Sequence, residues 1–185
     1  MTDHWKPLAL SDVLDVCTKC GVAVNLGCIS EKEGALREEL VLLRQDIMEI
    51  CGEEFDLEDQ WQLGIVLFEK LGLEPVYRCE SGYRVDREHL MEVDHPVIQR
   101  ILDYRSAITY LRCISEYEHT VRNGRVHPTF TITEIGRIVT SNPNVQSTPQ
   151  AIRSIMVADP RYTFVEADWR AMHLRLLANL SQDPE

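Results

Sequence analysis

The sequence predicts an α+β fold, a helical subdomain followed by a smaller mixed α/β piece. Three observations predict it. Apolar residues recur at three- and four-residue spacing through much of residues 30–118. Two turn clusters, Asn123-Gly124 and Ser141-Asn142-Pro143-Asn144, follow residue 120. An apolar extended run, Tyr162 to Ala167, lies near the end of the sequence. Helices first and short strands afterwards is the order of an α+β protein, not of an alternating α/β one.

The elements follow in order. Residues 8–17 read as a short helix and Gly21 to Asn25 as a brief extended piece. Ser30 and Glu33 form a capping-box pattern, and Leu36, Leu40, Leu43, Ile47 and Ile50 then keep helical spacing up to Gly52. A second helix is expected from Asp59 to Leu71, closed by Gly72, with Leu63, Leu67 and Phe68 inward. Residues 74–84 read as a loop with a possible strand, and Asp86 as the cap of a short helix through Val93. His95-Pro96 opens the longest helix, running to about Glu118, because proline is tolerated in a first turn. Asn123-Gly124 predicts a hairpin between 119–122 and 125–131. Residues 150–157 read as a helix, 161–167 as a strand and 169–181 as a final helix.

At 185 residues the chain is long enough for one sizeable domain or two small ones. With 44% hydrophobic and 26% charged residues it reads as globular and soluble, not disordered. No apolar run approaches membrane-spanning length, and Met1 to Lys6 carries no signal-peptide pattern, so a cytoplasmic protein without a membrane partner is expected. Six cysteines are then expected as thiols. Cys17-x-x-Cys20 is at most half of a zinc site, because no second pair follows at ligand spacing.

The net charge of −11 speaks against nucleic-acid binding until its distribution is read. Residues 1–96 hold 9 Lys and Arg against 21 Asp and Glu, a balance of −12. Residues 97–185 hold 10 against 9, and all ten bases are arginines, whose forked donors suit phosphates and base edges. The apolar run ends on Asp168, and an amphipathic pattern follows at once. That predicts a carboxylate at a strand end beside helix-start N–H groups, a place suited to a metal ion that handles phosphates.

Several motifs, in order, resemble DNA polymerase family A. Gly52-x-x-Phe55-Asp56-Leu57 and Gln62-Leu63-x-x-x-Leu67-Phe68-x-x-Leu71-Gly72-Leu73 resemble the family's GxxFNxxSxxQLxxxLFxxLGL segment. Gly82-Tyr83 and His95-Pro96 through Ile101-Leu102-Asp103-Tyr104-Arg105 are similar to GYST…HPxxxxILEYR. Gly124-Arg125-Val126-His127 and Gly136-Arg137-Ile138 to Pro143-Asn144-Val145-Gln146-x-x-Pro149 resemble GRVH…TGRLSSxxPNxQNIP. Residues 152–185 are similar to IRxxF…ADYSQIELR and its continuation. The resemblance implies a remnant of a preceding domain boundary at 1–29, a helical thumb-like subdomain at 30–120 and a partial polymerase palm at 121–185, a small antiparallel sheet with helices.

It also implies a function, DNA-directed addition of nucleotides to a primer end, with primer–template DNA as partner. Asp168 would be a catalytic carboxylate holding two Mg2+ ions with the backbone carbonyl of Trp169, and residue 173 would face the nucleotide sugar. Arg137, Asn144 and Gln146 would meet the primer–template end, and Arg105 and Arg153 would add DNA contacts. Minor-groove acceptors stand at similar places in every base pair, so donors aimed there check pair shape without reading sequence.

Departures from the family accompany the likeness. YSQIE becomes Trp169-Arg170-Ala171-Met172-His173, which places a histidine where the family has the glutamate that excludes ribonucleotides. The KLKSTY run is absent after Arg105, Ile135 replaces a threonine, the hairpin near Phe130 is two residues short, and about six residues are missing after Pro149. The family's fingers and second palm motif, HDE, lie beyond this sequence. The expectation is a chain inactive by itself, either a gene fragment or one piece of a split enzyme completed by a second polypeptide carrying fingers and HDE. A non-catalytic remnant that binds DNA or a replication partner is the alternative. Self-association through uncovered apolar edges is expected in either case, and nucleoid association if the source is bacterial or phage.

Overall fold

The computed structural model describes residues 9–79 and 82–181. Its scaffold is a pair of long helices, α2 (Leu26–Cys51) and α5 (Pro96–Thr120). The side chain of Asn25 caps α2 by accepting the Cys28 N–H, and Gly52 closes it at φ 74 with its N–H on the Met48 carbonyl. The expected start at Ser30 is therefore corrected: the helix begins four positions earlier, and Glu33 instead pairs with Arg37 one turn on, at 2.7 Å. The start of α5 follows the sequence reading, with His95 accepting the Val97 N–H and Pro96 in the first turn.

Shorter helices pack around this pair. α1 (Leu10–Cys20) buries none of its side chains. It is held from outside, because Thr18 donates to the Pro128 carbonyl and Arg125 donates to the carbonyls of Cys20 and Gly21. A side chain at Gly21 would stand 2.4 Å from the Val126 carbonyl oxygen, so the chain can turn there only on glycine. α3 (Gln60–Ile65) is capped by Asp59, continues as a π-turn over Val66–Lys70, and gives way at Gly72 with φ 68. Asp86 caps α4 (Arg87–Leu90) by accepting the His89 N–H.

Two cores lie along the α2–α5 pair. The first gathers Ile47, Leu63, Leu67, Leu90, Val97 and Ile101. The second gathers Ile29, Leu36, Ala107, Ile114 and Tyr117 with Val126, Ile152 and Ile155. Early α2 thus meets late α5 and late α2 meets early α5, so the helices run antiparallel. Burying each such aliphatic side chain stabilises the fold by about 1.5–3 kcal/mol. α2 crosses position 29/30 unbroken, and the second core takes residues from both sides of 120/121.

The sheets are small and antiparallel. β1 (Val22–Val24) lies between β4 (Arg125–Val126) and β7 (Met156–Val157), with Val22 opposite Val126 and Ala23 opposite Val157. β2 (Arg78–Cys79) pairs with β3 (Gly82–Tyr83), and β5 (Thr129–Ile132) with β6 (Ile138–Ser141). Asn123 and Gly124 form the expected tight turn at φ 50 and 75, but it closes only an Arg122–Arg125 bridge. The hairpin beyond it is corrected, since α5 holds the chain to Thr120 and β1 takes Arg125–Val126.

Two further expectations change. Residues 150–157 are not a helix: a 3-10 turn at Arg153–Ile155 drops Ile155 into the second core, and Met156–Val157 join the edge of β1. Residues 161–167 pair with no strand among the described residues, and Val165 is 86% exposed. α6 (Met172–Ser181) buries no residue. Among the described residues no helix is long and apolar enough to cross a membrane.

Candidate nucleic-acid interface

The β5–β6 hairpin and the turn after it bring three expected site residues together. Arg137 sits just before β6; its backbone closes the loop with Thr133, while its guanidinium is exposed and unpaired among the described residues. After β6, Asn144 caps a 3-10 turn over Val145–Ser147 by accepting the Ser147 N–H at 3.2 Å. Gln146 folds back and donates from Nε2 to the carbonyl of Ile138, the residue next to Arg137, at 3.0 Å.

Thr140, only 5% exposed, ties these groups from beneath. Its Oγ1 lies 3.1 Å from Asn144 Oδ1 and 3.3 Å from Gln146 Oε1, and it accepts the Gln146 N–H. Glu116 of α5 accepts the Asn144 N–H at 3.0 Å. The acceptor ends of both amides are therefore engaged inside the turn. Among the described residues neither hydrogen of Asn144 Nδ2 is used, and Gln146 Nε2 keeps a second one. With Arg137, this makes a surface of donors. Thr140 and Glu116 were missed in the sequence, where a threonine in a β-prone run and a glutamate on a helix carry no distinguishing signal.

Arg105 and Arg153 lie on other surfaces. Arg105 is half-buried in α5 and donates to the Val85 carbonyl. Burial pulls its pKa down, with Asp86 opposing that shift. It lines a cleft of about 370 Å³ with Tyr104, Thr109, Arg87 and Arg112, the last held by Glu58 at 3.1 Å. Arg87 and Arg112 also escaped the sequence reading, because they are 25 positions apart and only the fold joins them. Arg153 donates to the Thr148 carbonyl, faces Glu166 at 3.8 Å, and lines a mostly apolar cleft of about 420 Å³ with Val22, Met156 and Phe164.

Asp168 is exposed and makes no hydrogen bond or ion pair among the described residues. Its expected setting is corrected: no strand delivers it, and α6 begins four positions later, after Ala171 at φ 53. Trp169 is exposed, and His173 lies in the first turn of α6, also exposed. Among the described residues no three His, Cys, Asp or Glu side chains converge as a metal site. Octahedral Mg2+ takes six oxygens, of which Asp168 and the Trp169 carbonyl could furnish only part. Cys17 and Cys20 are exposed free thiols.

Comparison with known proteins gives a consistent picture. Residues 28–185 match the family model described as DNA polymerase family A. The chain is 32% identical over 190 residues to DNA polymerase I of Caldicellulosiruptor bescii, across 94% of this chain and 22% of that protein. It is 34% identical to the thermostable DNA polymerase I of Thermus filiformis, across 94% and 23%. Among solved structures it resembles the POL domain of Pol1 from M. smegmatis in complex with DNA primer-template and dNTP, with a TM-score of 0.82 and 25% identity over 94% of this chain and 33% of that one. The chain thus spans less than a quarter of the length of these curated relatives.

Proposed function

The chain belongs to DNA polymerase family A, and from that premise we propose that it supplies the thumb and first part of the palm of a DNA-directed DNA polymerase. The observation that carries this reading is the donor surface of Arg137, Asn144 and Gln146, with both amide oxygens turned inward. Purine N3 and pyrimidine O2 occupy equivalent minor-groove positions in all four base pairs. A surface offering only donors accepts any correctly shaped pair and disfavours a misshapen one. The arginine cleft beside α5 takes the other part of the duplex, its phosphates, through Arg87, Arg105 and Arg112.

In this reading Asp168 is one protein ligand of a two-Mg2+ site, with the Trp169 carbonyl beside it, and the remaining ligands come from the rest of a complete palm. Bound there, the ions would activate the primer hydroxyl and neutralise charge on the triphosphate. His173 stands toward the incoming sugar. A second polypeptide carrying fingers and HDE is the partner that fits, and α6, with Leu174 69% and Leu180 79% exposed, offers it an apolar face.

Fluorescence anisotropy with labelled primer–template tests the DNA reading. Binding that tightens at low salt and weakens in Arg137→Ala supports it; the same weak signal in both proteins at all salts rejects it. The alternative is a non-catalytic DNA-binding role. Mixing the chain with a polypeptide bearing fingers and HDE, then adding primer–template, Mg2+ and dNTPs, separates the two. Primer extension that is lost in Asp168→Asn supports the polymerase, and no extension supports the alternative.

A further inference from the structure

We propose that Thr140 is a positioning residue for base-pair checking: its buried hydroxyl sets which way the Asn144 and Gln146 amides face. The inference rests on the DNA reading above and adds to it a residue that touches no DNA. Each amide could in principle be turned by 180°, exchanging oxygen for nitrogen. Backbone partners favour one face of each, and Thr140 reinforces the choice. The Ser147 N–H points at the Asn144 side chain, so oxygen must face it. The Ile138 carbonyl accepts from Gln146, so nitrogen must face that.

Thr140 closes the network. Its oxygen accepts the Gln146 backbone N–H at 3.3 Å, which leaves the hydroxyl proton to point at Asn144 Oδ1 (3.1 Å) or Gln146 Oε1 (3.3 Å). Turning both amides would leave that proton facing NH2 groups, which cannot accept it. With Thr140 at 5% exposure, the hydroxyl has few routes to water that would ease the mismatch. One buried O–H, donating to one oxygen at a time, therefore favours oxygens inward and donors outward. Glu116 fixes the height of the turn by holding the Asn144 N–H, and so links it to α5.

The test uses the 185-residue chain and two primer–templates, one ending in adenine and one in 3-deazaadenine, which lacks the minor-groove N3 acceptor. A lost hydrogen bond makes wild type bind the deaza DNA about 2- to 12-fold more weakly. In Thr140→Val that difference collapses toward onefold, and in Thr140→Ser, which keeps the hydroxyl, it returns. A Thr140→Val protein that weakens equally on both DNAs and keeps the difference shows a merely structural role and overturns the proposal. So does a wild type that binds both DNAs equally. No binding to either DNA removes the parent reading and this one together. Amide exchange on the wild type supplies a readout independent of the variants' folding: one slow Gln146 side-chain proton is expected, and two equally fast ones overturn the inference.

Discussion

Removing Arg87 gives the sharpest test of the cleft beside α5. Of the three arginines there, Arg105 is committed to the Val85 carbonyl and Arg112 is paired with Glu58. Arg87 is exposed and, among the described residues, free of any ion pair, so its whole charge is available to a phosphate. Each neutralised phosphate contributes about 0.9 to the slope of log K against log salt on duplex DNA. Arg87→Ala should lower that slope by about 0.9. Across a fourfold rise in salt, wild type then loses about 3.5-fold more affinity than the variant. Fluorescence anisotropy of labelled primer–template over a salt series measures both slopes. Folding is not at issue, because an exposed substitution of this kind changes stability by no more than about 0.5 kcal/mol. Glu58→Gln provides the opposite sign, since it frees Arg112 and removes a carboxylate from the path of the DNA. Equal slopes for wild type and Arg87→Ala would refute the placement of phosphates in this cleft.

Three further outcomes are expected. Tyr117→Phe removes the 2.6 Å bond to buried Thr148, whose hydroxyl keeps only the weaker Cys113 thiol, which costs about 1 kcal/mol in urea unfolding. Asn25→Ala removes the cap of α2 and lowers unfolding free energy by about 1 kcal/mol with an unchanged m-value. The N–H groups of Gln62 foremost, then Trp61, hold the Asp59 carboxyl below its ordinary range. A depressed folded-state pKa means stability that is present above the unfolded pKa and lost as pH falls through the folded one. Melting temperatures should therefore fall as pH is lowered, and somewhat less steeply in Asp59→Asn, where Asp86, also held low, still contributes.

The parts of the fold that were legible in the sequence are those decided within a few residues. Asp86 caps the helix it was expected to cap, helices start at Asp59 and His95-Pro96 as expected, with Asp59 and His95 as their caps, and Gly52 and Gly72 end helices in the left-handed conformation. A cap needs only a side chain and the N–H groups two or three positions on. Ser30-Glu33 carries the same local pattern and fails, because Asn25 offers an earlier cap next to β1 and Ile29 belongs to the second core. β1 was read as an extended piece, but its partners, more than 100 positions away, were not legible. Residues 150–157 carry helical periodicity, yet the open edge of β1 takes Met156–Val157. Residues 161–167 have strand composition and, among the described residues, no strand to pair with. Composition alone does not make a strand.

The site divides along the same line. Arg137, Asn144 and Gln146 were readable as residue types at a spacing, but the hydroxyl and carboxylate that orient them were not. The charge pattern was misleading in a similar way. By chain order the first half is acidic and the second nearly neutral, yet the cleft joins Arg87 from the acidic half to Arg105 and Arg112 from the other. Electrostatic surfaces are therefore assembled by α5 and not by halves of the sequence. This separates two contributions that a binding constant merges. Arginines in the cleft should set salt dependence and leave base-pair discrimination alone. The Thr140-organised donors should set discrimination and leave the salt slope nearly unchanged, since neutral amides release no counterions. A Thr140→Val protein with lost discrimination and an intact slope, beside an Arg87→Ala protein with the reverse, would show that the two surfaces act independently on one duplex.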